Sequence, residues 1–243
     1  MSRARAGLST RLARAFHTEL WGLGDQGLVS GVNFFTLVLL ARTLEPVEFG
    51  YFVLAFTILQ TATTLQSALI TRAHNVFGAV RTGREYADYS TTALAAQACF
   101  AGALALLALA AAGICAAGGF GGVDLLLVLA PALVTWQFQE LGRRILYTEG
   151  RFSAAFAADA VGFGAQVAAL VLLWRSDRLT ATTALAAVAA SALRSKRPRS
   201  ESRSCHASSA IAGTNVAATA ASAVVAVKWS KRQSRTSAAT WAP

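Results

Sequence analysis

Charge is what this sequence lacks. Asp, Glu, Lys and Arg make up only 14% of its 243 residues, against about a quarter in soluble domains. No charged residue occurs between Asp88 and Asp124, or from Phe49 to Thr71. Runs of that length exclude an ordinary soluble domain and predict membrane-crossing helices, because a bilayer core about 30 Å thick takes roughly 20 apolar residues to cross. Lysine is missing altogether until Lys196, and the other two, Lys228 and Lys231, lie further on. Cysteine is scarce. Cys99 and Cys115 fall in one predicted helix, about 24 Å apart at 1.5 Å per residue, which excludes a bridge between them. Cys205 and His206 stand without further ligands beside them, and a metal site takes about four.

Catalytic signatures are missing too. There is no nucleophile elbow, P-loop or H-E-x-x-H, and the three histidines are isolated. Gly22-Leu23-Gly24-Asp25-Gln26-Gly27 does match G-x-G-x-x-G. That pattern binds dinucleotides only between a strand and a helix of a βαβ unit, whereas here an Arg-rich arm precedes it and an apolar span contains it. The expectation is therefore no enzyme, no cofactor and no metal. The net charge of +10 does not point to nucleic acid, which calls for a basic folded face. Residues 1–193 carry 13 Arg and 11 acids, a balance of +2, while 194–243 carry 9 Lys+Arg and one acid, a balance of +8.

What is present is an all-α, polytopic membrane bundle of about six helices. The predicted spans are Leu20–Ala41, Phe49–Ile70, Thr91–Ala117, Val123–Leu141, Phe152–Trp174 and a short, Ala-rich Leu179–Leu193. Residues 1–19 form a basic arm, 20–193 the bundle and 194–243 a Ser-rich basic tail. Tight turns lie at Arg42–Glu48, Gly118–Gly122 and Arg175–Arg178. The longer connections Thr71–Ser90 and Arg143–Arg151 mix Arg with Phe77, Tyr86, Tyr89, Tyr147 and Phe152, which fits short helices at the lipid headgroups or ordinary positive anchors. Ten arginines fall on the arm's side of the bundle and three (Arg42, Arg175, Arg178) on the other, so the N-terminus is expected in the cytoplasm. The tail has neither helical nor strand periodicity. Its abrupt change of residue usage fits a slipped reading frame near residue 193, or a natural disordered tail.

Polar residues inside spans are costly and mark function by default. Asp25 and Asp159 lie a few residues into the first and fifth spans, roughly 8–11 Å deep by residue count. They are candidates for holding a proton or cation inside a cavity, or for capping a helix or pairing with an arginine. Gln26, Ser30 and Asn33 form a polar stripe on the first span, opposite Val29, Val32, Phe35 and Leu39. Gly27 and Gly31 make a G-x-x-x-G pair suited to close helix packing.

Several ordered motifs carry a resemblance. Asp25-Gln26-Gly27-Leu28-Val29-Ser30 is followed by Asn33-Phe34, Leu40-Ala41-Arg42 and Glu48-Phe49-Gly50. Gln66-Ser67-Ala68-Leu69-Ile70 ends the second span. Phe138-Gln139-Glu140-Leu141-Gly142-Arg143-Arg144 leads to Tyr147, Arg151 and Asp159. This set resembles polysaccharide-biosynthesis flippases, the O-antigen-translocase-like members of the multidrug/oligosaccharidyl-lipid/polysaccharide exporter superfamily. The resemblance implies two bundles of about six helices that move lipid-pyrophosphate-linked glycans across the inner membrane by alternating access. The chain has room for the first bundle, so a dimer, a partner or a missing C-terminal half is implied. Arg143, Arg144 and Arg151 would engage pyrophosphate, Gln26 and Asn33 would line the cavity, and Asp25 or Asp159 would couple an ion. The rival readings are a small-molecule exporter of the same superfamily, a non-transporting membrane scaffold whose basic tail binds anionic lipid, and a non-functional fragment.

Overall fold

The computed structural model describes the backbone of residues 2–192 and the side chains of residues 20–192. The expectations for the tail, and for a frame slip, lie outside the described residues. Among these residues there are helices and turns but no strand. The helices are α1 (Ser2–Thr43), α2 (Pro46–Gln66), a π-helical turn (Ser67–Thr71), α3 (Arg72–Gly78), α4 (Gly83–Ala117), α5 (Val123–Thr148), α6 (Phe152–Arg175) and α7 (Ala181–Ser191).

Five stretches are long and apolar enough to cross a membrane: Leu20–Thr43, Pro46–Gly78, Gly83–Ala117, Val123–Thr148 and Phe152–Arg175. The chain is a multi-pass helical membrane bundle. Its apolar side chains point outward as well as inward: Phe34, Leu106, Leu107, Ile114 and Leu172 are all at least 66% exposed. In water so much apolar surface would be an aggregation liability; in lipid it is the solvated face.

Helix ends follow local chemistry. Pro46 opens α2 at its first turn, where a missing N–H costs nothing. Gly150, with φ +71°, makes the turn from α5 into α6 in a conformation that disfavours side chains. Thr180 and Thr183 close a reciprocal cap on α7.

Three differences from the sequence expectation stand out. The connection Thr71–Ser90 does not form separate short helices. The π-turn and α3 continue α2 without a break, and α4 begins at Gly83, so the turn is only Ala79–Thr82. Nothing between Thr71 and Phe77 breaks a helix, so the hydrogen-bond ladder runs on past the apolar stretch. The 33 residues Pro46–Gly78 measure about 50 Å at 1.5 Å per residue, more than a bilayer core about 30 Å thick. A buried cluster ties this hairpin together: His74 Nε2 lies 3.2 Å from Ser90 Oγ, its ring stacks on Tyr89 at 5.7 Å, and Arg81 covers Tyr89 at 4.1 Å. Likewise α5 absorbs most of Arg143–Arg151, running to Thr148. The last apolar helix, α7, has 11 residues and spans about 16 Å, too short to cross alone.

α5 is the central helix. In its most apolar stretch 56% of residues are buried inside the bundle, against 17% for α4. α4 packs along one side of it, α2 and α7 along another, and α1 pairs with α6. The main apolar core joins Phe52 and Leu59 of α2, Leu129 and Leu133 of α5, Leu170 of α6, and Leu185 and Val188 of α7. A second cluster joins Ile70, Leu94, Phe138, Leu141 and Ile145. α6 and α7 approach closely at Gly162, where a Cβ would meet the Ser191 carbonyl oxygen at 3.1 Å.

Candidate functional site: a buried carboxylate–guanidinium cluster

The second half of α5 carries polar residues at helical spacing: Glu140, Arg143, Arg144 and Tyr147. Spacings of three and four place them on one face, and that face meets α1 and α6. Asp25 of α1 is 2% exposed and Asp159 of α6 is 3% exposed. Both turn towards Arg143.

Arg143 is the hub. Its Nη1 lies 3.2 Å from Asp25 Oδ2 and 3.6 Å from Asp159 Oδ2. Its Nη2 and Nε donate to Glu140 Oε2 at 2.5 and 3.1 Å. Glu140 Oε1 accepts from Arg144 Nε at 2.8 Å. The Tyr147 hydroxyl donates to Asp25 Oδ2, and Gln139 Nε2 donates to Asp159 Oδ1 at 3.5 Å. Three carboxylates therefore surround one buried guanidinium, with a second, half-exposed one on the flank. Asp25 Oδ1 is buried and accepts no hydrogen bond among the described residues. Beside the cluster lies a cavity of about 30 Å³ lined by Val29, Trp136, Gln139, Glu140, Arg143, Asp159 and Phe163. Its size admits a water or a small cation.

Three helices give the same depth for this cluster. Counting from the opposite ends, Asp25 is about 27 Å from Thr43, Asp159 about 24 Å from Arg175 and Arg143 about 30 Å from Val123 at 1.5 Å per residue. The charges lie towards the same end of the three apolar stretches rather than at their middles. Removing an ion from water costs several kcal/mol, so the end is the cheaper place for them.

A further polar chain follows the α1–α6 seam. Gln166 Nε2 donates to Thr36 Oγ1 at 3.2 Å, and Ser191 Oγ donates to Gln166 Oε1 at 3.1 Å. α1 is held by Asp25, Val32, Thr36 and Leu40, the buried residues of one face.

The residues singled out from sequence fall into two groups. Asp25, Asp159 and Arg143 meet, and Arg144 joins them through Glu140. Of the readings open for the aspartates, pairing with an arginine is seen for both, and Asp159 also lines the cavity. Arg151 stands apart, 3.7 Å from Glu149, with its side chain 40% exposed. Gln26 and Ser30 are exposed and Asn33 is half-buried, so the polar stripe turns away from the bundle. Gly27 and Gly31 are exposed as well, with no atom within 4 Å of a Cβ built on either. Their expected role in helix packing has no counterpart among the described residues. Glu140, Gln139 and Tyr147 carried the resemblance, yet their place in the site was not foreseen. The signal was their spacing about Arg143.

Comparison of the chain with protein-family models, curated proteins and solved structures gives no match. The functional reading rests on the residues themselves.

Proposed function

We propose that the chain serves to translocate lipid-pyrophosphate-linked glycans across the inner membrane, the described helices supplying one bundle of an alternating-access carrier. The observation that carries this reading is the adjacency on α1 of two polar faces. One holds Asp25 inside the charge cluster, and the other holds Gln26 and Ser30 on open surface with Asn33 half-buried beside them. A polar stripe on a membrane helix calls for water, protein or a polar cargo, since lipid satisfies none of its hydrogen bonds.

In this reading Arg143 is not the cargo ligand. Three carboxylates occupy its donors, so it latches α1 to α5 and α6. Arg144 and Arg151, with side chains 34% and 40% exposed, keep free N–H groups for pyrophosphate oxygens, which suit guanidinium forks. Gln26 and Asn33 would meet the sugar hydroxyls. Asp25 and Asp159, with Glu140, outnumber the guanidiniums and would take up the coupling ion as helices shift. The N-terminus lies in the cytoplasm, on the side richer in arginine. Membrane lipid is the constant partner, and a second bundle, from another copy of the chain, completes the cavity.

The test is reconstitution of the full chain in liposomes with a fluorescent polyprenyl-pyrophosphate oligosaccharide, followed by a membrane-impermeant quencher. Faster flipping than in empty liposomes is expected, and Arg144→Ala/Arg151→Ala should slow it about tenfold or more, matching loss of charge-assisted hydrogen bonds of about 1.5–3 kcal/mol each. No acceleration by the chain sinks the proposal. Export of an uncharged dye with no effect on the glycolipid would favour the small-molecule reading.

A further inference from the structure

α5 has a second buried polar flank, away from the charge cluster. Gln137 stands one turn from Glu140 and is 0% exposed, as are Gln66 on α2 and Gln97 on α4. Gln66 Nε2 donates to the main-chain carbonyl of Gln137 at 2.9 Å. Five other amide atoms have no hydrogen-bond partner among the described residues: Gln66 Oε1 and both polar atoms of Gln97 and of Gln137. Gln97 enters where α4, α5 and the π-turn converge, since Leu94 and Ala101, its neighbours on the same face, pack with Ile70, Phe138 and Leu141.

The backbone is unusual at this same place. Directly after Gln66 the chain widens into the π-turn Ser67–Thr71, with Arg72 N–H reaching back to Ser67 O. Single π-turns are rare and concentrate where a helix does more than pack. Leucine or methionine would fill these three positions with no polar atom to satisfy, and buried amides are nearly always hydrogen-bonded.

We propose that Gln66, Gln97 and Gln137 form an internal water-binding site between α2, α4 and α5, continuing the polar cluster from Glu140 to the other flank of α5. Its ligand is water, about two molecules, since each internal water makes roughly three hydrogen bonds and five amide atoms await partners. The site places water one helical turn from Glu140, between α5 and the helices α2 and α4.

The experiment is rapid hydroxyl-radical footprinting by X-ray radiolysis of the full chain in detergent micelles, read by mass spectrometry. Radicals form at bound water, so a buried side chain beside one is labelled despite its burial. Leu141 (0% exposed) borders the site, whereas Leu125 and Leu129 (7% and 1%) lie in the apolar core two turns or more from Gln137, so three leucines of one helix are compared. Leu141 should be labelled several-fold faster than the other two. In Gln97→Leu/Gln137→Leu that excess should vanish while Leu129 is unchanged. Equal rates for the three leucines in the unaltered chain overturn the proposal, whether or not the variant folds. So does an excess at Leu141 that survives in the folded double variant.

Discussion

The two halves of α5 obey different rules. From Val123 to Leu133 the helix packs Leu125, Leu129 and Leu133 against α2 and α7, with no charge beyond Asp124 in its first turn. From Gln137 to Tyr147 the same helix carries two glutamines, a carboxylate, two guanidiniums and a phenol. The first half is held by close packing, which in a membrane depends on contact between surfaces rather than on escape from water. The second is held by matching of charge, so removal of one partner leaves the others exposed to a poor solvent. Packing tolerates exchange among apolar residues of similar volume; a charge cluster tolerates little.

The comparison can be tested by substitution. Arg143→Ala should have the largest effect, a loss of about 3–5 kcal/mol, because three carboxylates lose their shared cation. Unfolding in mixed micelles, followed by helical circular dichroism, measures it. In the apolar half Leu133→Ala should cost about 2–5 kcal/mol through the cavity it leaves, while Leu133→Met costs less than about 1.5 kcal/mol. A severe loss with methionine would break the distinction. Gly162→Ala should cost about 1–3 kcal/mol by forcing α7 away from α6, detectable as a lower melting temperature. Asp25→Asn should be mild, about 1 kcal/mol, since the cluster has carboxylate to spare and the amide oxygen still accepts from Arg143 and Tyr147. A cost equal to that of Arg143→Ala would show that every carboxylate is needed. Gln26→Leu and Asn33→Leu should change stability least, within about 0.5 kcal/mol, yet slow glycolipid flipping in liposomes. Unaltered flipping would detach the stripe from transport.

The spans were legible because absence of charge over twenty residues has one physical meaning in a helix. The shared depth of Asp25 and Asp159 was legible too, by counting 1.5 Å per residue. Rotation about the helix axis was not. Asp25 and Gln26 are neighbours about 100° apart, and both are polar. That Asp25 faces inward follows from its partner on α5, which sequence does not reveal. For the same reason Gly27 and Gly31 pointed to a helix contact, while it is at Gly24 that an added Cβ would meet the Phe156 ring, at 3.6 Å. The α3–α4 hairpin was missed because the expected span ended with its apolar run, while the backbone ladder continues as long as nothing breaks it.

The Asp25–Arg143 ion pair joins residues separated by 118 positions, and this sets a timetable for synthesis. A ribosome adding about 5–20 residues per second leaves Asp25 without its guanidinium for roughly 6–24 s. During that interval α1 holds a carboxylate without the guanidinium that pairs with it in the folded bundle. Its ion pair in the bundle therefore waits for α5, and α1 is fastened only after helices made later than itself.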